Sequence, residues 1–337
     1  MVLLLTGITG NLHAQAVQGL LMSSQVAQAA PDTSMPKMIE VLGGTFMMGN
    51  TFGSMEDGID DALPVHQVRV STFKISEFPV TWAQYAIFCK ETGYPMPAFP
   101  TYFSGTKQLK RELGRGNGNK YPVFANYYQA DAYCKWLSKK TGKNYRLPTE
   151  AEWEFAARGG NKSTQSEHAS EYFRAGLGWK WDARDLDLTT NRYPNILGIC
   201  NMSGGVWEWC QDWYSKTYYA QSPTDNPSGP EDRANDTNRD TNHVMRGGSV
   251  ASSRAHCTVY YRENTQPGVV GEEIELNGFR IVLDENPPRT NNAQAQSAPV
   301  QAEQSLTGKL RELKSLYDEG LITKEEYDAT RKKLLNQ

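Results

Sequence analysis

One segment of the chain brings a thiol, several hydroxyls and an arginine close together. It reads RGGSVASSRAHC from Arg246 to Cys257, and Ser252 lies five positions before Cys257. A cysteine thiolate is both a nucleophile and a soft metal ligand. Arg254 suits a carboxylate, because its planar guanidinium can donate two parallel hydrogen bonds. The segment is therefore the first candidate for a catalytic or binding site, although it offers a single thiol.

A second segment, NMSGGVWE from Asn201 to Glu208, contains side chains that suit calcium. Ca²⁺ takes several oxygen ligands from carboxylates, amides and backbone carbonyls. Asn201 and Glu208 offer side-chain oxygens of this kind. A structural interpretation stays open as well, in which Asn201 caps a turn and Glu208 forms an ion pair with a buried arginine.

Two arginines and three glutamates cluster from Arg146 to Arg158. A carboxylate pair could act as general acid and base, but helix capping and pairing on a helix surface explain these residues more simply. We predict a structural role for them. His66 and His256 have no acidic partner at metal-ligand spacing, so the sequence predicts neither a zinc nor a non-haem iron site.

The five cysteines have different expected roles. Cys89 and Cys134 fall in apolar helical patterns, which predicts that they pack in the core. Cys200 and Cys210 flank one loop and could form a disulfide in an oxidising compartment. Cys257 is the one that lies in a motif with functional chemistry.

Short helices must hold these segments in place, and three capping signals predict where they begin. Each signal pairs a side-chain acceptor with Gln or Glu three residues later, and each helix should stop near a glycine. The predicted starts are Thr81, Asn126 and Thr149, and the predicted ends are Gly93, Gly142 and Gly159. On the second helix, one face carries Ala130, Tyr133, Cys134 and Leu137.

Strands are predicted mainly before the first of these helices. Met38–Val41 and Thr45–Met48 lie on either side of two glycines, which predicts a hairpin, and Val65–Val70 alternates as a strand does. Lys107–Lys120 and Pro223–Asn242 are rich in turn-forming residues and show no periodicity, so we expect irregular loops there.

The composition is that of a folded protein that does not bind nucleic acid. A net charge of -3 and a pI near 6.0 provide no basic field for phosphates. Hydrophobic residues make up 39% of the chain, and no apolar run approaches the roughly 20 residues that span a bilayer. Residues 1–30 are apolar and contain small-x-small cleavage patterns but lack a basic start. They favour export through a signal peptide, with a disordered cytosolic leader as the alternative.

Several sequence blocks occur in an order that resembles the formylglycine-generating enzymes, the sulfatase-modifying factor family. The resemblance covers residues 38–284 and predicts an α+β domain with a modified C-type-lectin-like fold, rich in irregular loops and stiffened by calcium. The blocks are MIEVLGGTFMMGN from Met38, LPVHQVRVSTFKISEFPVTWAQYAIFC from Leu63, NYRLPTEAEWEFAARGG from Asn144, YPNILGICNMSGGVWEWCQDWY from Tyr193, the RGGS segment, and NGFRIVL from Asn277.

The resemblance also implies a chemistry for the thiol segment. In the oxidases of this family, two cysteines at the positions of Ser252 and Cys257 bind copper(I), which activates oxygen while a substrate cysteine is converted to an aldehyde. A hydroxyl cannot replace a thiolate for copper(I), so efficient turnover is not expected here.

The same resemblance extends the predicted sites on either side of the thiol segment. It adds the carbonyls of Gly204 and Val206 to the predicted calcium ligands Asn201 and Glu208, while Gly205 stands where the family usually has Asn. It also places aromatic rings beside the RGGS segment. The predicted ligand-binding residues of this groove are Trp207, Ser249, Arg254, Tyr260 and Tyr261.

Three functions follow from these observations. We predict a non-catalytic protein that binds a protein or small-molecule ligand on its loop-rich face, similar to the variable receptors whose diversified stretch corresponds to 250–277. An oxidase that makes formylglycine is the first alternative. The second is a structural envelope or assembly protein that resembles the gliding-motility members of the family.

The C-terminal part has a different organisation. Residues 285–304 are rich in Pro, Asn, Gln and Ala, which is typical of a flexible linker. Residues 305–337 resemble the SHOCT module, with two short helices separated near Gly320. A helical hairpin of about 30 residues buries too little surface to be stable alone. We therefore expect it to self-associate or to dock on another protein.

Overall fold

The computed structural model describes residues 34–53, 60–98, 105–163, 166–177, 180–230, 242–268, 276–285 and 324–335. The chain divides into two units, residues 1–288 and 289–337. In the second unit, the described part is a helix at Lys324–Leu335. The predicted leader (1–30), nearly all of the linker and the first helix of the predicted hairpin lie outside the described residues.

A long antiparallel ribbon opens the first unit. Its strands are β1 (Met38–Val41), β2 (Gly44–Met48), β3 (His66–Val70) and β4 (Phe73–Ser76). Strand β1 pairs with β4, and β2 pairs with β3. The predicted hairpin between β1 and β2 is therefore wrong. Gly43 lies against the backbone of residues 70–72, where a Cβ would be 2.6 Å from the nearest atoms, so the absence of a side chain at Gly43 permits this close approach between the two halves of the ribbon.

The remaining strands complete two sheets. These strands are β5 (Asn144–Arg146), β6 (Trp207–Trp213), β7 (His243–Arg246), β8 (Glu263–Thr265), β9 (Asn277–Gly278) and β10 (Val282–Asp284). The first sheet has the order β1-β4-β10-β5, and the other has the order β8-β7-β6-β9, with β6 and β9 parallel. The β3 strand, predicted from its alternation, is confirmed.

All three capped helices are confirmed, because capping depends on residues close in sequence. Thr81, Asn126 and Thr149 each form a complete capping box with the residue three positions later. The helices are α1 (Trp82–Thr92), α3 (Tyr127–Thr141) and α4 (Glu150–Ala157). The predicted face of α3 is buried in full.

One helix was not predicted. Residues Gly105–Gly114 form α2, which overlaps the first part of the stretch Lys107–Lys120, where the sequence suggested an irregular loop. Leu109 is its fully buried side chain, and Gly105 packs so closely on Trp181 that a Cβ would be 2.4 Å from the ring. Leu109 and Leu113 lie four positions apart on one face of the helix, a spacing that the turn-forming residues after them masked in the sequence. The described part of 223–242, residues 223–230 and 242, contains no helix or strand.

Paired charges lie inside the first unit. Arg246 is fully buried and donates to Glu150 Oε1 at 2.7 Å and to Glu154 Oε2 at 2.6 Å. Arg262, also buried, donates to both oxygens of Glu150, at 2.7 and 3.0 Å. Arg158 donates to Glu154 at 2.9 Å. The structural role predicted for these glutamates is thus correct, but they pair in the core and not on a helix surface.

A first prediction concerns this network. Glu150→Gln should lower the free energy of unfolding by about 3–5 kcal/mol, because two buried guanidinium groups lose the carboxylate that they share. Urea denaturation measures the change. The matched control is Glu91→Gln, since Glu91 is exposed and pairs with Lys140 at the surface. Equal midpoints for the two variants would contradict a dominant role for the buried network.

Candidate ligand-binding site

The RGGS segment leaves β7 through two glycines with left-handed backbone. Gly247 has φ 92° and Gly248 has φ 70°. A Cβ on Gly248 would lie 2.5 Å from the sulfur of Cys257, and one on Gly247 would lie 3.0 Å from the ring of Trp153. Any larger residue would be strained in conformation and would also clash. The glycines therefore let the chain fold back over the thiol.

The hydroxyls of Ser249 and Ser252 face each other beyond this turn. Their oxygens are 3.0 Å apart, and the backbone N–H of Ser249 donates to Ser252 Oγ, also at 3.0 Å. Ser249 Oγ accepts from the N–H of Ala251 at 3.2 Å. Ser252, at the position where the resemblance implies a cysteine, is thus part of a closed local hydrogen-bond network.

Cys257 lies beneath the same turn and is fully buried. Its sulfur is 3.4 Å from the carbonyl oxygen of Ser253 and 3.9 Å from that of Ser249. Burial raises the pKa of the Cys257 thiol to about 12, with a smaller opposing effect of Arg254. The group is therefore a neutral thiol near neutral pH, and in that form it is a weak nucleophile.

These observations do not fit a two-thiolate copper(I) site. Copper(I) requires soft, deprotonated sulfur ligands. The segment supplies one thiol, and the hydroxyl of Ser252 is already bonded to Ser249.

A neighbouring segment, residues 166–177, covers the thiol loop and was missed in the sequence. The N–H of Gly176 donates to the carbonyl of Ser252 at 2.6 Å, and that of Leu177 donates to Val250 at 2.9 Å. The N–H of Val259 donates to the carbonyl of Glu167 at 2.7 Å. The segment contains no helix or strand, so no periodicity could have revealed it.

Arg254 is the exposed member of the five predicted ligand-binding residues. Its guanidinium lies 4.1 Å from the ring centroid of Phe173, and its carbonyl oxygen lies 3.2 Å from His168 Nε2. The His168 ring stacks on Phe173 at 4.7 Å. Tyr172, beside Phe173 in sequence, is 68% exposed. Arg254, His168 and Phe173 therefore form a surface cluster, here named the Arg254 cluster.

The other predicted ligand-binding residues belong to the interior. Trp207, Ser249, Tyr260 and Tyr261 are all buried. Trp207 and Tyr261 lie 6.0 Å apart, and His256 stacks on Tyr261 at 4.4 Å. The rings lie next to the thiol segment in sequence or in space, but they pack in the interior and do not form an exposed surface.

The predicted calcium segment adjoins the thiol segment through its backbone. The N–H of Gly204 donates to the carbonyl of Gly247 at 2.8 Å, and that of Val250 donates to the carbonyl of Gly205 at 2.9 Å. Val206 is buried and comes directly before β6 in the chain. The two segments therefore lie side by side.

The side chains of the predicted calcium segment have other partners. Asn201 has φ 60°, accepts from the N–H of Tyr193 at 3.3 Å and donates to the carbonyl of Asn191 at 2.8 Å. Glu208 accepts from Arg280 at 2.5 and 2.7 Å and from the indole of Trp153 at 2.7 Å. The structural alternative, a capped turn and a buried ion pair, describes this arrangement. Calcium at this segment stays a prediction.

All five cysteines are buried free thiols, so the considered disulfide between Cys200 and Cys210 is not formed.

Within the described residues, no helix has the length and apolar character needed to cross a membrane.

Comparison with known proteins places this geometry in a family. Residues 23–285 match the sulfatase-modifying factor enzyme 1-like domain, and residues 309–335 match the short C-terminal domain, SHOCT. The chain belongs to the sulfatase-modifying factor family. It is 33% identical over 309 residues to the formylglycine-generating enzyme of Streptomyces coelicolor, an alignment that covers 78% of this chain and 94% of that protein.

Other relatives of this family member differ in length and context. The serine/threonine-protein kinase pkn1 of Chlamydia pneumoniae is 28% identical over 300 residues, covering 83% of this chain but 45% of the kinase. The solved structure of PvdO from Pseudomonas aeruginosa superposes with a TM-score of 0.56 and 24% identity, covering 74% of this chain and 95% of PvdO. The fold is thus that of the family, with mixed helices and strands.

A second prediction follows from the burial of the thiols. At pH 8, a thiol with a pKa of about 12 is ionised in roughly one molecule in ten thousand. Ellman's reagent should therefore label almost no cysteine in the folded, reduced protein and all five after denaturation. Ser253→Cys provides a positive control, because residue 253 is exposed on the same turn. Rapid labelling of Cys257 in the folded wild type, mapped by mass spectrometry, would show that the thiol is accessible.

Proposed function

We propose that this family member is a non-catalytic binding protein. The observation that carries the proposal is the closed turn at the family's copper position, where Ser252 bonds to Ser249 and Cys257 is a buried, protonated thiol. An oxidase of this family depends on two thiolates at these positions, by resemblance. The hydroxyl network instead makes the turn a rigid support for the surface above it.

The Arg254 cluster is the proposed binding surface. Arg254 is exposed, and its guanidinium lies over the ring of Phe173. A guanidinium held in this way needs little further ordering when it binds. Its free N–H groups suit a carboxylate, and the exposed ring of Tyr172 offers apolar contact. We infer that the ligand is an acidic peptide segment or a protein surface that carries one.

A third prediction tests the absence of oxidase chemistry. Reduced wild-type protein should not compete with a copper(I) chelator, whereas Ser252→Cys should gain one-to-one binding, because it restores a second soft ligand five residues before Cys257. Aldehyde formation on a cysteine-containing peptide in the presence of oxygen is followed in parallel. Cys257→Ala in the Ser252→Cys background is the control.

Two outcomes would separate the alternatives. Tight copper(I) binding by the wild type that disappears in Cys257→Ala, together with aldehyde product, would establish the oxidase and overturn the proposal. Absence of both, with copper binding gained by Ser252→Cys, would show that the scaffold is intact and that the single substitution removes the metal.

A fourth prediction concerns the Arg254 cluster. Random peptides displayed on phage should be enriched in acidic sequences when selected on the wild type, and Arg254→Gln should abolish this enrichment, because the carboxylate loses its bidentate partner. Arg184→Gln is the control, since Arg184 is also exposed but pairs with Asp182. The same acidic enrichment on all three proteins would refute a role for this cluster.

A further inference from the structure

A cavity of about 390 Å³ lies away from the thiol segment. Its walls come from the residues before β1, the turn between β4 and α1, and the loop around residue 190. None of its lining residues belongs to 246–261 or to the Arg254 cluster. The volume falls in the range of small-molecule sites, about 300–1,000 Å³. This is therefore a separate candidate site that the proposed function does not use.

Most of the surface area that lines the cavity is apolar. Phe78 and Pro79 come from the turn before α1, and Leu188 comes from the opposite loop. Met35 and Pro36 complete the apolar wall. Leu188 and Pro79 are buried from solvent, while Phe78 is half-buried and faces the guanidinium of Arg192 at 5.2 Å. Such a lining favours a ligand with a flat, apolar body.

The polar part of the lining has an excess of positive charge. Lys37 and Arg192 both pair with Glu77, Lys37 at 3.0 Å. The side chain of Glu77 is 6% exposed, whereas those of Lys37 and Arg192 are 68% and 53% exposed. Two cations thus share one buried carboxylate and keep N–H donors directed to solvent. The group favours a ligand with a negative charge.

A helix terminus adds to this potential. Thr81, the N-cap of α1, and Gln84 line the cavity and satisfy each other's backbone N–H groups, at 3.3 and 3.0 Å. The N-terminal end of a helix carries a partial positive charge that stabilises nearby anions. Together with Lys37 and Arg192, it makes the edge of an apolar cavity positive.

The cavity is held in shape by the backbone around Glu77. The N–H of Glu77 donates to the carbonyl of Lys37 at 2.8 Å, and its carbonyl accepts from Cys200 at 2.9 Å. Arg280, fully buried, donates to the carbonyl of Ser76 at 2.9 Å. A preformed site loses less entropy on binding than one that must be ordered by its ligand.

We propose that this cavity is a binding site for a small organic anion with an aromatic or aliphatic body. The apolar walls enclose the body, and Arg192 and Lys37 bind the anionic group at the mouth. The assignment is independent of the Arg254 cluster and of any chemistry at Cys257, so the two proposals can fail separately.

The test uses two dyes that differ by one sulfonate. The anionic probe is 8-anilinonaphthalene-1-sulfonate, and the neutral probe is N-phenyl-1-naphthylamine. Full-length wild-type protein should bind the anionic probe more tightly, and added salt should weaken that preference. Arg192→Gln should lower affinity for the anionic probe about tenfold, as expected for the loss of a charge-assisted hydrogen bond, and leave the neutral probe nearly unchanged.

Two variants make the result specific to this cavity. Thr189→Trp places a large ring on an exposed lining residue and should abolish binding of both probes there. Arg184→Gln, a change of the same kind at an exposed arginine outside the cavity, should have no effect. Thermal unfolding of each variant verifies that it is folded.

Three results would overturn the proposal. Unchanged affinity in Thr189→Trp would place the dyes elsewhere on the protein. Loss of binding in Thr189→Trp without any effect of Arg192→Gln would show a cavity with no selectivity for anions. Equal affinity of the wild type for the two probes would contradict the proposed binding of an anionic group by Arg192 and Lys37.

Discussion

The buried carboxylate of Glu150 fixes the ends of the candidate site. Arg246 and Arg262 lie at either end of the segment that contains Ser249, Ser252 and Cys257, and both arginines donate to Glu150 on α4. Burial alone would raise the pKa of Glu150, but Arg262 and Arg246 lower it below its ordinary value, so the carboxylate stays charged. An unpaired charge at such a position would cost several kcal/mol, and this makes the pairing obligatory.

The residues that form these buried ion pairs are distinct from the polar residues of the thiol segment. Glu150, Glu154 and their arginines contact neither the hydroxyl of Ser252 nor the thiol of Cys257 in any described hydrogen bond. The two ends of the loop are therefore anchored independently of the side chain at position 252. The Ser252 hydroxyl forms its own bonds within the turn and leaves no unsatisfied polar group there.

The parts of the structure that the sequence predicts are those set by near neighbours. The capping boxes at Thr81, Asn126 and Thr149 act over three residues, and each was found. The ribbon was misassigned because β2 pairs with β3, whose residues follow about twenty positions later, whereas the two glycines between β1 and β2 resemble a hairpin turn. The charge network was missed for the same reason, since Arg246 is 96 residues from Glu150. Segment 166–177 has no regular structure and hence no period to detect.

Arg280 shows how an arginine can organise a group of oxygens in this fold. Its guanidinium donates to both oxygens of Glu208 and to the carbonyls of Ser76 and Cys200, at 2.5 to 2.9 Å. These are a carboxylate and backbone carbonyls, the ligand types that Ca²⁺ also collects. Five N–H donors in a rigid plane can satisfy such a set when the geometry is fixed. The arginine of the Gly278-Phe279-Arg280 motif therefore joins β6 to the β4–α1 turn, and through Glu77 it helps to shape the cavity.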